Sequence, residues 1–371
     1  MLYISYNTQP GWAQMVPVRD LLTEHNEVMG APGRGIVPRI EDSLEFVGKM
    51  FDTNPNFCKA NPQVVDRIKR MKEQNRNYLA HEYFNRDWLP MSFTAMADWL
   101  EPAKLNFACS THYTEQIEAI NLSAEQLAFL QGVTDPMFKE TVRDFMVNQQ
   151  FRRDYWVRGA RELSPLERAE GLREQRVLLV TPRADVSLKI NTASGEASLH
   201  DAVYLPILDY LADHKVRSIG QIEKAMAEHG LQFAQVVQAV FVLVGVNTLQ
   251  AVQDDAVISR ARKQTDKLNL RICTLARGRT DINYLASPVT GGASQVNRIN
   301  QLFLLARGLG RKTPADWALY AADVLFSQGQ RILKGGVMIE PRDEVVDELT
   351  AQALVFADKQ LPILKAMGVV S

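Results

Sequence analysis

A β-strand of aromatic and aliphatic residues at the very start of the chain is the feature that most limits how this sequence can fold. Leu2–Tyr6 has a composition typical of strands, and Asn7–Gly11 follows as a turn. A strand needs a neighbour to satisfy its backbone N–H and C=O groups, yet no clear second strand follows for many residues. We therefore expect a preceding segment, or another chain, to supply the rest of the sheet.

Amphipathic helices dominate the region up to about residue 120, and a short strand lies near each end of that region. A second strand is predicted at Leu105–Cys109, and Pro102 ends the helix before it. The predicted helices have the stripes Met15/Val18/Leu22/His25, Ile40/Leu44/Val47/Phe51 and Val64/Ile68/Met71, followed by the short helices Tyr78–Phe84 and Phe93–Leu100. We interpret residues 1–120 as the second half of an α/β unit with a helical insertion.

The middle region, residues 121–200, is predicted to be a small mixed domain. Its helical stripe is Phe138/Val142/Phe145, and Phe151–Val157 alternates like a strand. This alternation suggests that Phe151, Tyr155 and Val157 face inward and that the charged residues between them face outward. Further strands are predicted as an antiparallel pair, Arg176–Pro182 with Val186–Ile190, and a short strand at Ala197–Leu199.

Residues 201–371 are predicted to be a helical domain, in which three helices precede the strand-like Thr248–Val252. That order is typical of a winged helix, a fold that often binds DNA. The candidate recognition helix, Leu231–Val244, contains no Lys or Arg. Across Tyr204–Asp254 the basic residues are Lys215, Arg217 and Lys224, and the acidic residues are Asp209, Asp213, Glu223, Glu228 and Asp254. Phosphate contacts need positive charge, so we interpret the segment as a packing or protein-docking module.

The overall composition excludes several classes of partner and site. The 371 residues have a formal net charge of −1, from 42 basic and 43 acidic side chains, which favours neither nucleic acid nor an anionic membrane. The three cysteines are far apart and form no zinc-site spacing. No signal peptide and no apolar run of membrane-spanning length is visible. We expect a cytoplasmic protein without a metal.

The turn after the first strand carries residues that suit ligand binding. The carboxyl ends of α/β strands are common ligand-binding positions, and the side-chain carbonyl oxygen of Asn7 can accept a hydrogen bond from an amine. The aromatic faces of Tyr6 and Trp12 can attract a methyl sulfonium or an ammonium. The alternative is a strand-ending turn with a packed tryptophan, which residue types alone favour.

A second candidate motif lies in the short helix Tyr78–Phe84. His81 and Glu82 could perform acid–base chemistry, because a histidine titrates near neutral pH. The segment is not a zinc-protease motif, because Asn85 stands where the second histidine would be needed. The alternative is a surface His–Glu pair on a helix packed through its aromatic residues.

Three segments together resemble one family. Tyr3–Trp12 is similar to the strand-and-turn block of bacterial methyltransferases that carry a methyltransferase regulatory domain, and Arg19-Asp20 matches the helix that follows that block. Tyr78–Tyr83, with the strand Leu105–Cys109, resembles the opening of the regulatory domain. Tyr284–Gly291 resembles a block near the family's C-terminus. The family includes enzymes similar to bacterial lysine methyltransferases that modify surface proteins.

The resemblance implies an α+β multidomain protein that is mostly helical. Residues 1–120 would be the remnant of a class I methyltransferase α/β sheet, 121–200 the small regulatory domain, and 201–371 a helical domain containing a winged helix. The implied reaction is attack by a lysine amine on the methyl group of S-adenosylmethionine (SAM). The residues assigned to catalysis are Tyr6, Asn7 and Trp12, and those assigned to substrate binding are Pro10, His81, Glu82 and Tyr83.

The resemblance also has a gap, because the family's glycine-rich cofactor turn and ribose-binding acidic residue would precede Leu2. Cofactor-binding residues are therefore unknown, and SAM is expected only if the missing N-terminal half is supplied. The implied partners are a protein substrate and either a SAM-binding chain or a second copy of this chain. The alternatives are a non-catalytic regulatory subunit, an interaction protein that joins no methyltransferase, and a winged-helix transcription factor. The excess of acidic residues in Tyr204–Asp254 argues against the last of these.

Overall fold

The computed structural model describes residues 1–31, 33–192 and 195–370, which divide into two compact units. The N-terminal unit is Met1–Arg161, and the C-terminal unit begins at Glu162; Thr192 and Gly195 group with the first unit. The boundaries predicted at residues 120 and 200 fall inside these units. The three-part division into domains stays a prediction.

The N-terminal unit combines helices with one small sheet. Its strands are β1 (Leu2–Asn7), β2 (Asn106–Ser110) and β3 (Phe151–Val157). Its helices are α1 (Val16–Val28), α2 (Ile36–Asp52), α3 (Asn56–Ala60), α4 (Pro62–Glu73), α5 (Arg76–Glu82), α6 (Phe93–Leu100), α7 (Glu118–Asn121), α8 (Ala124–Gln131) and α9 (Pro136–Val147).

The first strand finds its partner within the chain, so the expectation that only a preceding segment or another chain could supply one was wrong. The sheet has the order β1-β3-β2, and β3 is antiparallel to both neighbours. The pairing spans from Leu2 opposite Trp156 to Asn7 opposite Phe151. The pairing of β1 with β3 was not predicted because β3 lies some 140 residues further along the chain and is rich in charged residues. Along its outer edge, among the described residues, β1 pairs with no strand, and only its carboxyl end bridges Met91.

The helical stripes predicted for α1, α2 and α4 form one core. The stripe residues of α2 and α4 are all buried, as are Met15, Val18 and Leu22 at the start of the unit. Apolar residues spaced three and four apart lie on one side of a helix, and burying such a side chain contributes about 1.5–3 kcal/mol. This packing fixes α4 and α5 beside the turn that follows β1.

Two elements bury the side that the sequence pattern assigned to solvent. In β3 the buried residues are Arg152, Asp154 and Trp156, whereas Phe151 is exposed. In α9 the buried residues are Arg143 and Asp144, and the predicted inward-facing Phe138 and Phe145 are exposed. The inward orientation predicted from the aromatic residues was therefore wrong, because ion pairs between these elements compensate the buried charges.

The C-terminal unit is mostly helical. Its helices are α10 (Pro165–Glu174), α11 (Asp201–Tyr210), α12 (Ile219–Met226), α13 (Phe233–Gly245), α14 (Asp255–Leu275), α15 (Arg298–Gly308), α16 (Pro314–Phe326), α17 (Arg342–Val355) and α18 (Leu361–Ala366). The strands that follow β3 are β4 (Arg176–Leu179), β5 (Lys189–Thr192), β6 (Gly195–Ser198), β7 (Arg217–Ser218), β8 (Leu249–Ala251), β9 (Tyr284–Ala286), β10 (Ala293–Gln295), β11 (Ile332–Lys334) and β12 (Val337–Ile339).

The antiparallel pair predicted between Arg176–Pro182 and Val186–Ile190 does not form. Strand β4 lies instead between β7 and β8, in a sheet of order β7-β4-β8, and β5 pairs with β6. Pro182 and a short 3-10 turn follow β4, so the chain turns away before a hairpin can return. The molecule is thus mostly helical with several small sheets, and no described helix is long and apolar enough to span a bilayer.

Candidate functional site

A cleft of about 600 Å³ opens at the carboxyl end of β1, within the N-terminal unit. Its walls come from the end of β1, the turn after it, α4, α5 and the start of β3. The lining residues are Asn7, Trp12, Arg67, Arg70, Met71, Gln74, Tyr78, Glu82, Tyr83, Gln150 and Phe151. Four of the residues singled out by sequence, Asn7, Trp12, Glu82 and Tyr83, therefore meet in one place.

The turn that carries Trp12 is held against the start of β3 by backbone contacts. The N–H groups of Thr8 and Gly11 donate to the carbonyl oxygens of Gln150 and Gln149, both at 3.0 Å. A Cβ at Gly11 would lie 2.4 Å from the Gln149 oxygen, so only glycine permits this approach. Pro10 lies in this turn but does not line the cleft.

An aromatic cluster forms the floor of the cleft. Trp12 is buried, and its ring centroid lies 5.8 Å from that of Tyr83 and 5.6 Å from that of Trp88. Arg19 supports the cluster from outside: its side chain donates to the carbonyl oxygens of Tyr83 and Asn85, and its guanidinium lies over Trp88. Such packing fixes the aromatic faces before any ligand arrives.

Two arginines of α4 line the cleft. The Arg67 guanidinium lies 4.0 Å from the Trp12 ring centroid and donates to Gln150 Oε1 at 3.4 Å. Burial raises the pKa of the Tyr83 hydroxyl, and the hydrogen bond with Arg67 acts in the opposite direction. Within residues 1–31, 33–192 and 195–370, neither Arg67 nor Arg70 makes an ion pair with a carboxylate.

A carboxylate from α5 lies in the same cleft. Glu82 is partly exposed, and its Oε1 is 3.2 Å from Nδ1 of His81. The side chain of His81 is 84% exposed and does not line the cleft, so it lies on the solvent side of Glu82. The two members of this predicted acid–base pair are in contact, but only Glu82 lines the cleft.

Tyr6 lies on the opposite face of the sheet from Asn7. Successive residues of a strand face opposite sides, so the two could not both line one cleft. The Tyr6 hydroxyl donates to Asp154 Oδ2 at 3.3 Å, and burial raises the pKa of this hydroxyl. Tyr6 therefore contacts a buried ionic network and not the cleft.

That network centres on Arg152. Its guanidinium contacts Asp144 at 2.6 Å, Asp154 at 2.8 Å and Glu140 at 2.9 Å. The same group lies 4.3 Å from the ring centroid of Phe93, in the core under the sheet. Burial raises the pKa of Asp144 to about 7 despite the ion pair with Arg152. A sealed network of this kind joins α9 to β3 and leaves no opening for a ligand.

Sequence reasoning missed Arg67, Arg70, Tyr78 and Gln150 as cleft residues. The signal in the sequence was weak: Arg67, Arg70 and Gln74 recur at helical spacing beside the buried stripe of α4. Such a polar stripe is the usual solvated side of a helix. Only the position of α4 next to β1 makes this stripe one wall of the cleft.

Comparisons with known proteins identify what this chain is similar to. A family model described as a predicted methyltransferase regulatory domain matches residues 75–158, which include α5, α9 and β3. The uncharacterized protein sll1526 of Synechocystis sp. PCC 6803 is 37% identical over 369 residues, covering 100% of this chain and 71% of that protein. The uncharacterized protein RP789 of Rickettsia prowazekii is 22% identical over 165 residues, covering 41% of this chain and 30% of that protein.

Solved structures share the fold. The structure of PKMT2 from Rickettsia typhi in complex with AdoHcy superposes with a TM-score of 0.59 at 16% identity, covering 95% of this chain and 72% of that one. A second structure of PKMT2 gives a TM-score of 0.57 at the same identity. The fold of this chain is therefore similar to that of PKMT2.

The described residues do not suit the nucleoside part of SAM. A dinucleotide-type site needs a glycine-rich turn between a parallel strand and a helix, whereas β1, β2 and β3 are antiparallel. We therefore assign no residue of this chain to the adenosine or methionine parts of SAM. The described residues also hold no group of three His, Cys, Asp or Glu side chains that could bind a metal.

Proposed function

This chain belongs to the family of proteins that carry the methyltransferase regulatory domain, and from that premise we propose that it forms the acceptor side of a SAM-dependent methyltransferase that acts on protein lysines. SAM, when bound, supplies a methyl group on a positively charged sulfur. The residues of this chain would bind and orient the lysine that receives that group.

One observation carries the proposal: a single carboxylate and several aromatic faces meet in a cleft of suitable size. Aromatic rings attract an ammonium through their faces, and Tyr78 and Tyr83 supply such rings, whereas the Trp12 ring already contacts the Arg67 guanidinium. Glu82 adds a negative charge, and the side-chain carbonyl oxygen of Asn7 can accept a hydrogen bond from the lysine nitrogen. A lysine side chain is long and narrow enough to enter a cleft of about 600 Å³.

The lysine must lose a proton before its nitrogen can accept a methyl group. Glu82 is the carboxylate of the cleft, and its contact with His81 leads from the cleft to solvent. We propose that Glu82 holds the ammonium on arrival and receives its proton, while His81 exchanges that proton with water. The buried aromatic floor excludes water from the lysine nitrogen.

A second candidate is a regulatory subunit that completes a separate SAM-binding chain. The outer edge of β1 favours this second candidate, because an open edge can accept a further strand. In the described part of the chain, this edge pairs with no strand and is bridged only at Met91. In either case we propose that α11, α12, α13 and β8 form a winged-helix module for protein docking, since α13 carries no basic residue.

Calorimetric titration of the purified chain with SAM separates the two candidates. Micromolar binding supports direct catalysis by this chain or its oligomer. Binding of a lysine peptide without SAM binding supports an acceptor side that works with a separate SAM-binding chain. If the chain binds neither SAM nor a lysine peptide, both candidates fail.

Methyl transfer then tests the cleft itself. With labelled SAM and a lysine-containing protein acceptor, Glu82→Gln is expected to lower the rate roughly 100-fold, since a positioned acid or base contributes on that scale. Asn7→Ala should also lower the rate. Glu73→Gln, on the exposed side of α4, is the matched control and should leave the rate unchanged. Equal rates for Glu82→Gln and Glu73→Gln would contradict the proposed role.

A further inference from the structure

The two arginines of the cleft differ from the buried Arg152 in their partners. Arg152 contacts three carboxylates, whereas Arg67 and Arg70 contact none among the residues that the structure describes. Both also border a second, smaller cavity of about 60 Å³ next to the cleft. Two cations beside the single carboxylate of Glu82 leave positive charge available to a ligand.

Arg67 is held in a fixed position without losing its capacity to bind an anion. Its guanidinium lies 4.0 Å from the buried Trp12 ring centroid and forms hydrogen bonds with Gln150 and with the Tyr83 hydroxyl. A guanidinium has five N–H donors in a planar fork, so further donors remain. A carboxylate can accept two of them side by side.

Arg70 lies one helical turn further along α4 and is more exposed. Residues three apart on a helix are neighbours, so the two guanidinium groups can approach one carboxylate from the same side. Gln74 and Gln150, which also line the cleft, add neutral donors nearby. This wall of the cleft is basic and polar, whereas the α5 wall carries Glu82 and Tyr78.

The cleft therefore has one positive and one negative wall, and a lysine alone would match only the negative one. Bringing an ammonium next to two unpaired guanidinium groups costs energy, because like charges repel in a partly desolvated site. A carboxylate beside the lysine would remove that repulsion and form charge-assisted hydrogen bonds. A cleft of about 600 Å³ has room for two adjacent side chains.

We propose that Arg67 and Arg70 form a carboxylate subsite that selects acceptor lysines with an aspartate or glutamate as their neighbour in the peptide. The proposal rests on the proposed function, because it assumes that the lysine lies between Glu82 and the aromatic floor. The ligand group is the carboxylate, and a peptide acidic residue is the source we favour over the amino-acid end of SAM.

The test uses fluorescence anisotropy with three labelled peptides that differ at two positions: Lys-Asp, Lys-Asn and norleucine-Asp. The wild-type chain is expected to bind Lys-Asp about tenfold more tightly than Lys-Asn, as one bidentate charged contact would provide. Arg70→Gln and Arg67→Gln should each remove most of that difference. Lys69→Gln, an exposed cation on the same helix that does not line the cleft, should preserve it.

The peptides distinguish failure of the subsite from failure of the lysine site. Equal binding of Lys-Asp and Lys-Asn, both tighter than norleucine-Asp, overturns the subsite and leaves the lysine site standing. Equal binding of Lys-Asp and norleucine-Asp, both tighter than Lys-Asn, supports the subsite and overturns the lysine site. No binding by any peptide overturns both.

Two further measurements test whether the variants are folded and whether the carboxylate comes from SAM. Thermal melting shows whether each variant is folded, and Arg70 is exposed enough that its replacement should not change the melting temperature. Titration with SAM then tests the other source of a carboxylate. If Arg70→Gln weakens SAM binding but leaves the preference for Lys-Asp intact, the subsite belongs to the cofactor and the proposal is wrong.

Discussion

The two faces of the β1–β3 pair use arginine in opposite ways. On one face, Arg152 is sealed from water and contacts Asp144, Asp154 and Glu140. On the other face, Asn7 and Phe151 open onto a cleft where Arg67 and Arg70 have no carboxylate partner in the described residues. Arg152 finds its carboxylate partners within the chain, and we propose that Arg67 and Arg70 find theirs in a ligand.

This comparison teaches how to separate structural charge from functional charge. A buried guanidinium without partners would carry a large desolvation penalty, so its carboxylates are part of the fold. A partly exposed guanidinium keeps its water and needs no internal partner. Removing Arg152 on the first face should therefore lower the free energy of unfolding. Removing Arg67 or Arg70 on the second face should mainly weaken ligand binding.

The largest effect is expected from Arg152→Met. Removing the cation leaves the carboxylates of Asp144 and Asp154 buried without compensation, which costs about 3–5 kcal/mol. Urea denaturation measures the free energy of unfolding, with Arg158→Met at the exposed end of β3 as the control. Adding Asp144→Asn and Asp154→Asn to Arg152→Met should restore part of the loss. A loss below about 1 kcal/mol would break the comparison, because exposed ion pairs contribute no more than that.

The next effect concerns pH and the carboxyl group of Asp144. Its pKa is raised from 3.8 to about 7 in the folded chain, so the folded state holds the proton more tightly than the unfolded state. The stability contributed by this proton is complete below about pH 4 and is lost as the pH rises through about 7, a change of roughly 1–3 kcal/mol. Asp144→Asn cannot lose that proton, so denaturation from pH 4.5 to 7.5 should show the variant gaining stability relative to wild type. A constant difference would contradict the raised pKa.

A smaller effect is expected from Arg67→Gln. This change removes the contact between the guanidinium and the Trp12 ring, which contributes about 0.5–1 kcal/mol at a partly exposed site. The free energy of unfolding should fall by about that amount. A loss as large as that of Arg152→Met would show that Arg67 is structural after all.

The smallest effect on stability is expected from Arg70→Gln. No described contact depends on this side chain, so the free energy of unfolding should change by less than about 0.5 kcal/mol. The same variant is expected to lose the preference for a Lys-Asp peptide. A change in binding without a change in stability would place Arg70 on the functional side of the comparison.

Much of the local structure could be predicted because it depends on neighbours in sequence. The stripe Ile40, Leu44, Val47 and Phe51 predicted α2, and all four side chains are buried. Ser123 and Gln126 stand three residues apart in the sequence and form a capping box at the start of α8. Such features follow from helical periodicity and from hydrogen bonds within one turn.

The predicted site residues show where this reasoning stops. Asn7, Trp12, Glu82 and Tyr83 line one cleft, although nothing in the sequence fixes the distance between the β1 turn and α5. Tyr6 was grouped with Asn7 because both stand in one motif, and the alternation of a strand separates them. Their roles in methyl transfer stay predictions until the cleft variants are assayed.

The sequence by itself determined the buried stripes of α1, α2 and α4, the strand at Leu2–Tyr6 and the motifs that resemble the methyltransferase family. Only the tertiary structure decided that β3 would pair with β1 and that Arg152, in a strand of mixed charge, would face the core. The reason is physical: a charge is buried only if its partners are present, and the partners of Arg152 come from a different element, α9. A pattern along one segment cannot contain the positions of those partners, and the same holds for the two arginines that remain open to a ligand.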